Sequence, residues 1–335
     1  MVWEEAPVNA RVALALRRAK GKPRSSEALA EGARLSADEM PAAIDELVRG
    51  GFRIELHPIQ GFRLLQGPDR LIEDELTCDL ATERVGRTVQ SVGETTSTND
   101  LAWHAVAQDG PGADGLAVFA EYQTAGRGRR RSRWLAPPHS SVLCSIVLFG
   151  PPGAEGPASL TRAASLAAAQ AIEAETDLDV GLRWPNDLVL DNRKVAGVLV
   201  EARPGEAPAG AAVVGIGING TQRPEAFPAD LRDAVTSLAA AGAPVDRTLL
   251  ARRLLRRLDA VIADMTRETG PETLLQAAAS RCHTLGRRIT VTDGTETVTG
   301  EVVDLDPDYG LVLRLSDGTI RRFPAMTTHV VSQGG

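Results

Sequence analysis

Residues 124–134, Thr-Ala-Gly-Arg-Gly-Arg-Arg-Arg-Ser-Arg-Trp, gather five arginines and two glycines in a chain whose formal net charge is −7. The basic character is therefore local, and such a stretch belongs in a loop. Its flanks say where that loop sits. Gly115–Tyr122 and Ser140–Leu148 are apolar runs that read as strands, so one strand delivers the arginines and the next returns the chain to the core. Gly126 and Gly128 let the backbone turn and approach a ligand closely. Guanidinium groups are planar, permanently charged donors suited to phosphate or carboxylate. The stretch reads as an anion-binding loop, with a plain solvated basic loop as the alternative.

With 335 residues, 43% hydrophobic and 24% charged, the chain has material for two or three domains with buried cores. Its acidic balance argues against tight, non-specific nucleic-acid binding by the whole molecule, because such binding rests on many Lys and Arg neutralising phosphates. A small DNA-binding module is compatible with it. Cys78, Cys144 and Cys282 are widely separated, without Cys-x-x-Cys or Cys/His ligand spacing, and read as buried thiols of a reducing compartment. The apolar run Val12–Leu16 is closed by Arg17 and Arg18, which is no secretory signal, and Val142–Phe149 is far short of a membrane span. A cytoplasmic location is expected.

Residues 8–20 carry helical spacing broken at Gly21-Lys22-Pro23. A second short helix starts at Ser26, and Ser36-Ala-Asp-Glu opens a third by the capping-box pattern. Phe52–Leu56 and Gly61–Leu65 follow as short strands. Three helices and a hairpin suggest a winged helix-turn-helix over residues 1–66. Its third helix would face a DNA major groove, yet it offers Asp38, Glu39, Asp45 and Glu46, with its first basic residue at Arg49. Carboxylates repel phosphates, so operator binding and a structural module both stay open.

A helix over 71–81 and a strand near 87–92 lead to Thr95-Thr-Ser-Thr-Asn-Asp. This cluster places Ser97, Thr98 and Asn99 at the N-terminus of a helix expected over 99–108, as plain caps or as partners of a polar ligand. An Ala-rich helix is expected over 159–175. Gly181–Leu190, a tight turn at Asp191-Asn192-Arg193 and the strand Lys194–Glu201 form a hairpin with Asn186 and Asp187 on one side and Lys194 on the other. Gly215-Ile-Gly-Ile-Asn-Gly matches a dinucleotide fingerprint in letters only, because that fingerprint opens a helix and Pro224 and Pro228 prevent one. It reads as a strand against which a flat ligand lies, with Asn219 as a hydrogen-bonding group. Helices are expected over 231–238, 246–266 and 271–281. From Leu285, short alternating strands punctuated by Asp293-Gly294, Asp308-Tyr309-Gly310 and Asp317-Gly318 suggest a small five-stranded barrel.

Three separated motifs now stand in order: Glu121-Tyr-Gln-Thr-Ala-Gly-Arg-Gly-Arg-Arg, Arg183-Trp-Pro-Asn-Asp with Lys194-Val-Ala-Gly-Val-Leu-Val-Glu, and Gly215-Ile-Gly-Ile-Asn. Together they closely resemble the biotin protein ligases. With Ser97-Thr-Asn, the winged-helix start and the C-terminal barrel, the resemblance covers nearly the whole chain and looks like the bifunctional type, ligase and biotin-operon repressor in one polypeptide. It implies an α+β fold. The parts would be a winged helix-turn-helix (1–66), a mixed-sheet catalytic domain like the class II aminoacyl-tRNA synthetases (67–284) and an SH3-like β-barrel (285–335).

The implied reaction has two steps. Biotin's carboxylate attacks the α-phosphate of ATP with Mg²⁺, giving biotinyl-5'-adenylate and pyrophosphate, and a lysine of a biotin carboxyl carrier protein then takes the biotinyl group. The resemblance assigns Lys194, Arg127 and Arg129 as catalytic cations, and it sets Ser97, Thr98, Asn99, Gln123, Arg127, Gly128, Arg129 and Lys194 around biotin. Gly126, Trp134, Asn186 and Asn219 fall to the nucleotide, and Asp187 to the metal. Operator DNA and a homodimer are further partners of the bifunctional type, and no membrane is involved. An attacking carboxylate and a polyphosphate repel, so fixed cations and a metal are needed where negative charge builds up. A loop that closes over the reactive adenylate keeps water from it.

Some residues depart from the family pattern. Arg131 stands where the loop usually has a third glycine, and Ser132 where it has an arginine; Arg133 lies one position away. Arg183 replaces the common lysine, and the stretch from Ala325 to Val330 differs from the usual ending. Two other functions fit parts of the sequence. A DNA-binding biotin sensor needs a basic recognition surface, and a lipoyl or octanoyl transfer enzyme needs a different glycine-rich motif or a cysteine nucleophile.

Overall fold

The computed structural model describes residues 7–150, 156–203 and 210–333, so the first six and last two positions of the outer expected domains lie outside the described residues. Three helices, α1 (Val8–Arg18), α2 (Ser26–Ala33) and α3 (Met40–Arg49), precede an antiparallel pair, β1 (Arg53–His57) and β2 (Gly61–Gln66). Ser25 caps α2 by accepting from the Ala28 N–H, and Ser36 and Glu39 form the reciprocal capping box ahead of α3. Val12, Leu16, Leu29, Met40, Leu47 and Phe52 bury together in a core of their own. Arg17 reaches out of this unit to Glu75 and Asp246.

The helix expected over 71–81 is only α4 (Glu73–Thr77). It stops because Asp79 and Ala81 take left-handed backbone, φ 46° and 55°, while Arg256 draws on the Asp79 and Leu80 carbonyls.

Next come β3 (Val89–Thr95), α5 (Thr98–Asp109), β4 (Ala117–Gln123), β5 (Ser141–Leu148), α6 (Gly156–Thr176), β6 (Gly181–Arg183), β7 (Asp187–Leu190), β8 (Arg193–Ala202) and β9 (Ala212–Asn219). They form a seven-stranded sheet in the order β3-β4-β5-β9-β8-β7-β6, parallel between β3 and β4 and antiparallel elsewhere. Every residue of β5 is buried, as a central strand covered on both faces must be. Ala102, Trp103 and Val106 of α5 pack on one face with Val118, Val147 and Val213. The alanines of α6 let it lie close on the other, beneath α7 (Arg247–Met265), with α8 (Gly270–Ala279) beside them.

Two expectations change here. Residues 181–190 are two strands, because the chain reverses at Trp184-Pro185-Asn186 and pairs Gly181 with Val189. Residues 231–238 are turns and not a helix. Their backbone is taken by neighbours: Lys194 N–H donates to Ala234 O, Thr236 N–H to Lys194 O and Leu238 N–H to Asn219 O.

The C-terminal strands β10 (Arg288–Thr292), β11 (Thr297–Leu305), β12 (Leu311–Leu315), β13 (Ile320–Phe323) and β14 (His329–Gln333) form an antiparallel sheet in the order β13-β12-β11-β10-β14. Ile289, Val291, Leu313 and Phe323 share one core with α6, α7 and the central sheet, whereas the N-terminal helices keep theirs apart. Among the described residues no helix is long and apolar enough to cross a membrane.

Candidate active site

The pairing of β3 with β4 continues past both strands, since Thr124 and Ala125 N–H donate to the Thr95 and Thr96 carbonyls. From that anchored start the arginine stretch folds back as a small hairpin. Arg127 bridges to Arg133, Gly128 N–H donates to Ser132 O, and Trp134 N–H donates to Gly126 O. Both glycines serve this return of the chain. A Cβ on Gly126 would stand 2.7 Å from the Trp134 carbonyl oxygen, and one on Gly128 would stand 2.5 Å from Ser132 Oγ. The left-handed residue of the loop is Arg130, φ 54°, one position before the residue that replaces the family's glycine. The side chain of Arg131 lies outside the described residues.

The return strand lays the Trp134 indole on β9. A Cβ on Gly217 would meet Trp134 Cε2 at 2.6 Å, and one on Gly215 would meet Asn99 Oδ1 at 2.4 Å. The glycine spacing of β9 therefore makes room for two of the protein's own side chains, where a flat ligand was expected against the strand. Lys194 Nζ lies 5.6 Å from the Trp134 ring centroid and 2.5 Å from Asp187 Oδ1.

A cavity of about 200 Å³ opens between these elements, lined by Ser97, Thr98, Asn99, Gln123, Arg127, Gly128, Arg129, Trp134, Asn186, Asp187 and Lys194 with Leu143, Cys144 and Gly215–Gly217. Residues read from four separate stretches thus meet in one place. Two of the expected site residues do not line it. Gly126 is spent inside the hairpin. Asn219 points inward, with Nδ2 donating to Thr236 O and Oδ1 accepting from Gln222 Nε2, and so ties the 231–238 segment to β9.

Gln123 Oε1 accepts from the Thr98 N–H at 2.7 Å and from Thr98 Oγ1 at 3.2 Å, while Ser97 caps α5 by accepting from the Asn99 N–H. Ser145 Oγ lies 2.7 Å from Thr98 Oγ1 and 2.6 Å from Asn99 Oδ1. Ser145 escaped the sequence reading; its signal was a lone hydroxyl within the apolar run of β5. Asn99 Nδ2 and Trp134 Nε1 are buried donors with no partner among the described residues. An unmet buried donor costs about 1–3 kcal/mol, so these two invite ligand acceptors.

The cations around the cavity hold internal partners. Arg127 donates to Asp100 at 2.7 Å and to Glu201 at 3.4 Å. Burial pulls its guanidinium down, but the bond to Asp100 and the charge of Glu201 more than compensate and hold it above the ordinary arginine value. Arg129 donates to Ala325 O at 2.7 Å and Met326 O at 3.5 Å and reaches Asn186 Oδ1 at 3.5 Å. Burial and the nearby Arg130 lower its pKa. The C-terminal stretch that departs from the family ending therefore touches the arginine loop through its backbone. Cys144, buried in β5 at the cavity wall, has its thiol pushed far up by burial, which disfavours the thiolate that acyl transfer through cysteine needs.

The Biotin/lipoate A/B protein ligase family model matches residues 92–219, and the biotin protein ligase C-terminal domain model matches residues 284–325. The chain is 30% identical over 284 residues to the bifunctional ligase/repressor BirA of Bacillus subtilis, covering 84% of this chain and 86% of that one. It is 36% identical over 244 residues to the biotin–[acetyl-CoA-carboxylase] ligase of Mycobacterium tuberculosis, covering 70% of this chain and 86% of that one. The biotin protein ligase of Aquifex aeolicus in complex with biotin and ATP shares the fold, with a TM-score of 0.63 at 24% identity over 74% of this chain and 100% of that one. Fold and relatives together define a ligase enzyme. The chain belongs to the biotin protein ligase family.

Proposed function

We propose that this ligase attaches biotin to a lysine of a biotin carboxyl carrier protein through biotinyl-5'-adenylate. The observation that carries the reading is the convergence of Arg129 and Lys194 on a cavity whose wall holds the two unmet donors of Asn99 and Trp134. In the first step a carboxylate oxygen of biotin attacks the α-phosphorus of ATP, and the bond to the β-phosphate oxygen breaks to release pyrophosphate. In the second the lysine amine attacks the acyl carbon, AMP leaves, and the amine gives up a proton. Ser97, Thr98, Asn99 and Gln123 surround the ureido head. Lys194 and Arg129 meet carboxylate and phosphate oxygens as charge concentrates there. Trp134 and Asn186 face the nucleotide side, while Gly126 and Asn219 act at one remove, by closing the loop hairpin and by holding β9.

Asp187 is the one carboxylate among the described lining residues, and no three His, Cys, Asp or Glu side chains group as a metal site among the described residues. That suits Mg²⁺ arriving with the nucleotide, an ion bound through one or two carboxylates plus phosphates. When bound, the metal neutralises polyphosphate charge. Asp187, now paired with Lys194, would be the residue to hold it.

Residues 1–66 are read as a winged helix-turn-helix, 67–284 as the catalytic domain and 285–335 as an SH3-like barrel. The name of the Bacillus subtilis relative extends to repression. Here Asp38, Glu39, Asp45 and Glu46 are all exposed around α3, a surface that repels a DNA backbone, so ligation is proposed as the output.

Melting curves with biotin, ATP and both test this reading. A large rise in Tm that needs both ligands and accompanies pyrophosphate release is expected, because a tightly held adenylate stabilises only the folded state. Small additive shifts without pyrophosphate contradict it.

A further inference from the structure

We infer that Asp100 and Glu201 are positioning residues that hold the arginine loop shut through Arg127; this rests on the adenylate reading above. The bonds run in one chain. Thr96 Oγ1 donates to Asp100 Oδ2 at 2.8 Å, Arg127 Nη1 donates to Asp100 Oδ1 at 2.7 Å, and Arg127 Nη2 donates to Glu201 Oε1 at 3.4 Å. Trp103 Nε1 then donates to Glu201 Oε2 at 2.9 Å, with the Arg203 guanidinium 4.6 Å from the Trp103 ring centroid. One guanidinium is thus slung between the first turn of α5 and the end of β8. Both ends stand on regular secondary structure. The free N–H groups of α5 favour the Asp100 carboxylate at that position, and Trp103 is buried beneath Glu201.

This arrangement divides the loop's arginines. Arg127 faces two carboxylates and so offers no uncompensated charge to a substrate, contrary to the catalytic role its sequence suggests. Among the described residues Arg129 donates to carbonyl and amide oxygens alone, which a phosphate displaces without stranding a buried anion. Arg127 holds, and Arg129 binds. Neither Asp100 nor Glu201 lines the cavity.

Two roles for the carboxylates predict opposite signs. If they merely masked Arg127, neutralising either would strengthen the positive potential and slow adenylate loss. If they brace the loop, neutralising either loosens it and speeds adenylate loss.

The test uses the full chain with Asp100→Asn, Glu201→Gln and their double variant, beside Glu296→Gln, which removes an exposed carboxylate paired with Arg321 on the C-terminal sheet. Adenylate is formed from biotin and labelled ATP without acceptor, and both its release rate and the first-turnover pyrophosphate burst are followed. Each single variant is expected to release adenylate about tenfold faster, the scale of one lost charge-assisted hydrogen bond, with the burst changed by less than about twofold. Glu296→Gln should match the unmodified protein, and Glu201→Asp should recover part of the retention. A merely structural role would lower Tm and burst together and leave the release rate alone. Unchanged or slower release in folded Asp100→Asn and Glu201→Gln overturns the brace. Failure of the unmodified chain to give any biotin-dependent burst overturns the adenylate reading, and the brace with it.

Discussion

Arg247 and Arg127 each hold two carboxylates, yet they occupy opposite ends of a scale of commitment. Arg247, 8% exposed at the start of α7, donates to Glu121 at 2.6 Å, to Ser141 O at 3.2 Å and to Asp69 at 3.1 Å. Glu121 is itself buried and also accepts from the Leu71 N–H. Arg127, with a third of its side chain exposed, stands at a cavity mouth between acids that are also part-exposed. In the first region Arg247 and Glu121 are enclosed, with Asp69 exposed at the edge, and they join α7 to β4. In the second, every charge is partly open to solvent. Burial and completeness of partners, more than charge itself, separate arginines that build the molecule from those that serve the reaction.

Substitutions that strike one region and spare the other sharpen this contrast. Arg247→Met strands the Glu121 carboxylate inside the protein, and urea unfolding should show a loss of about 3–5 kcal/mol. Lys194→Ala should slow pyrophosphate release by about 100-fold or more, the usual scale for losing one fixed charge partner of a transition state, with urea unfolding little changed. Near-normal release by that variant would remove Lys194 from the chemistry. Gly217→Ala pushes a Cβ against the Trp134 indole, and a cost of about 1–3 kcal/mol should appear chiefly as weaker nucleotide binding in calorimetry.

The smallest effect lies far from both regions, at Asp293. Hydrogen bonds from Thr295 Oγ1 and from the Thr295 and Glu296 N–H groups hold its pKa down to about 2 from an ordinary 3.8. A depressed carboxylate stabilises the fold above its unfolded pKa and loses that contribution as pH falls through the folded value. Asp293→Ala should therefore lower Tm slightly at neutral pH, with the difference shrinking between pH about 4 and about 2.

Much of the site was legible because its chemistry is written in short stretches. The arginine loop, Asn186-Asp187, Lys194 and the β9 glycines needed only strand pairing to meet. What was hidden depended on tertiary neighbours. Asp100 and Glu201 look like ordinary surface acids until Arg127 falls between them, and Ser145 is a single hydroxyl inside the apolar run Val142–Phe149. The helix expected over 231–238 gave way because Lys194 and Asn219 capture its backbone, a demand that local propensity cannot register. The motif points Asn219 to the nucleotide, yet its side chain turns inward to bond Thr236 and Gln222. The N-terminal helices and their acidic surface were readable throughout, since caps, breaks and exposed carboxylates are local features.

The most direct test of the central claim is pyrophosphate release from ATP with biotin, lipoate or octanoate as the only acid. A protein working as proposed releases pyrophosphate with biotin and stays near background with the other two. Equal or faster release with lipoate or octanoate would contradict a biotinyl-adenylate site.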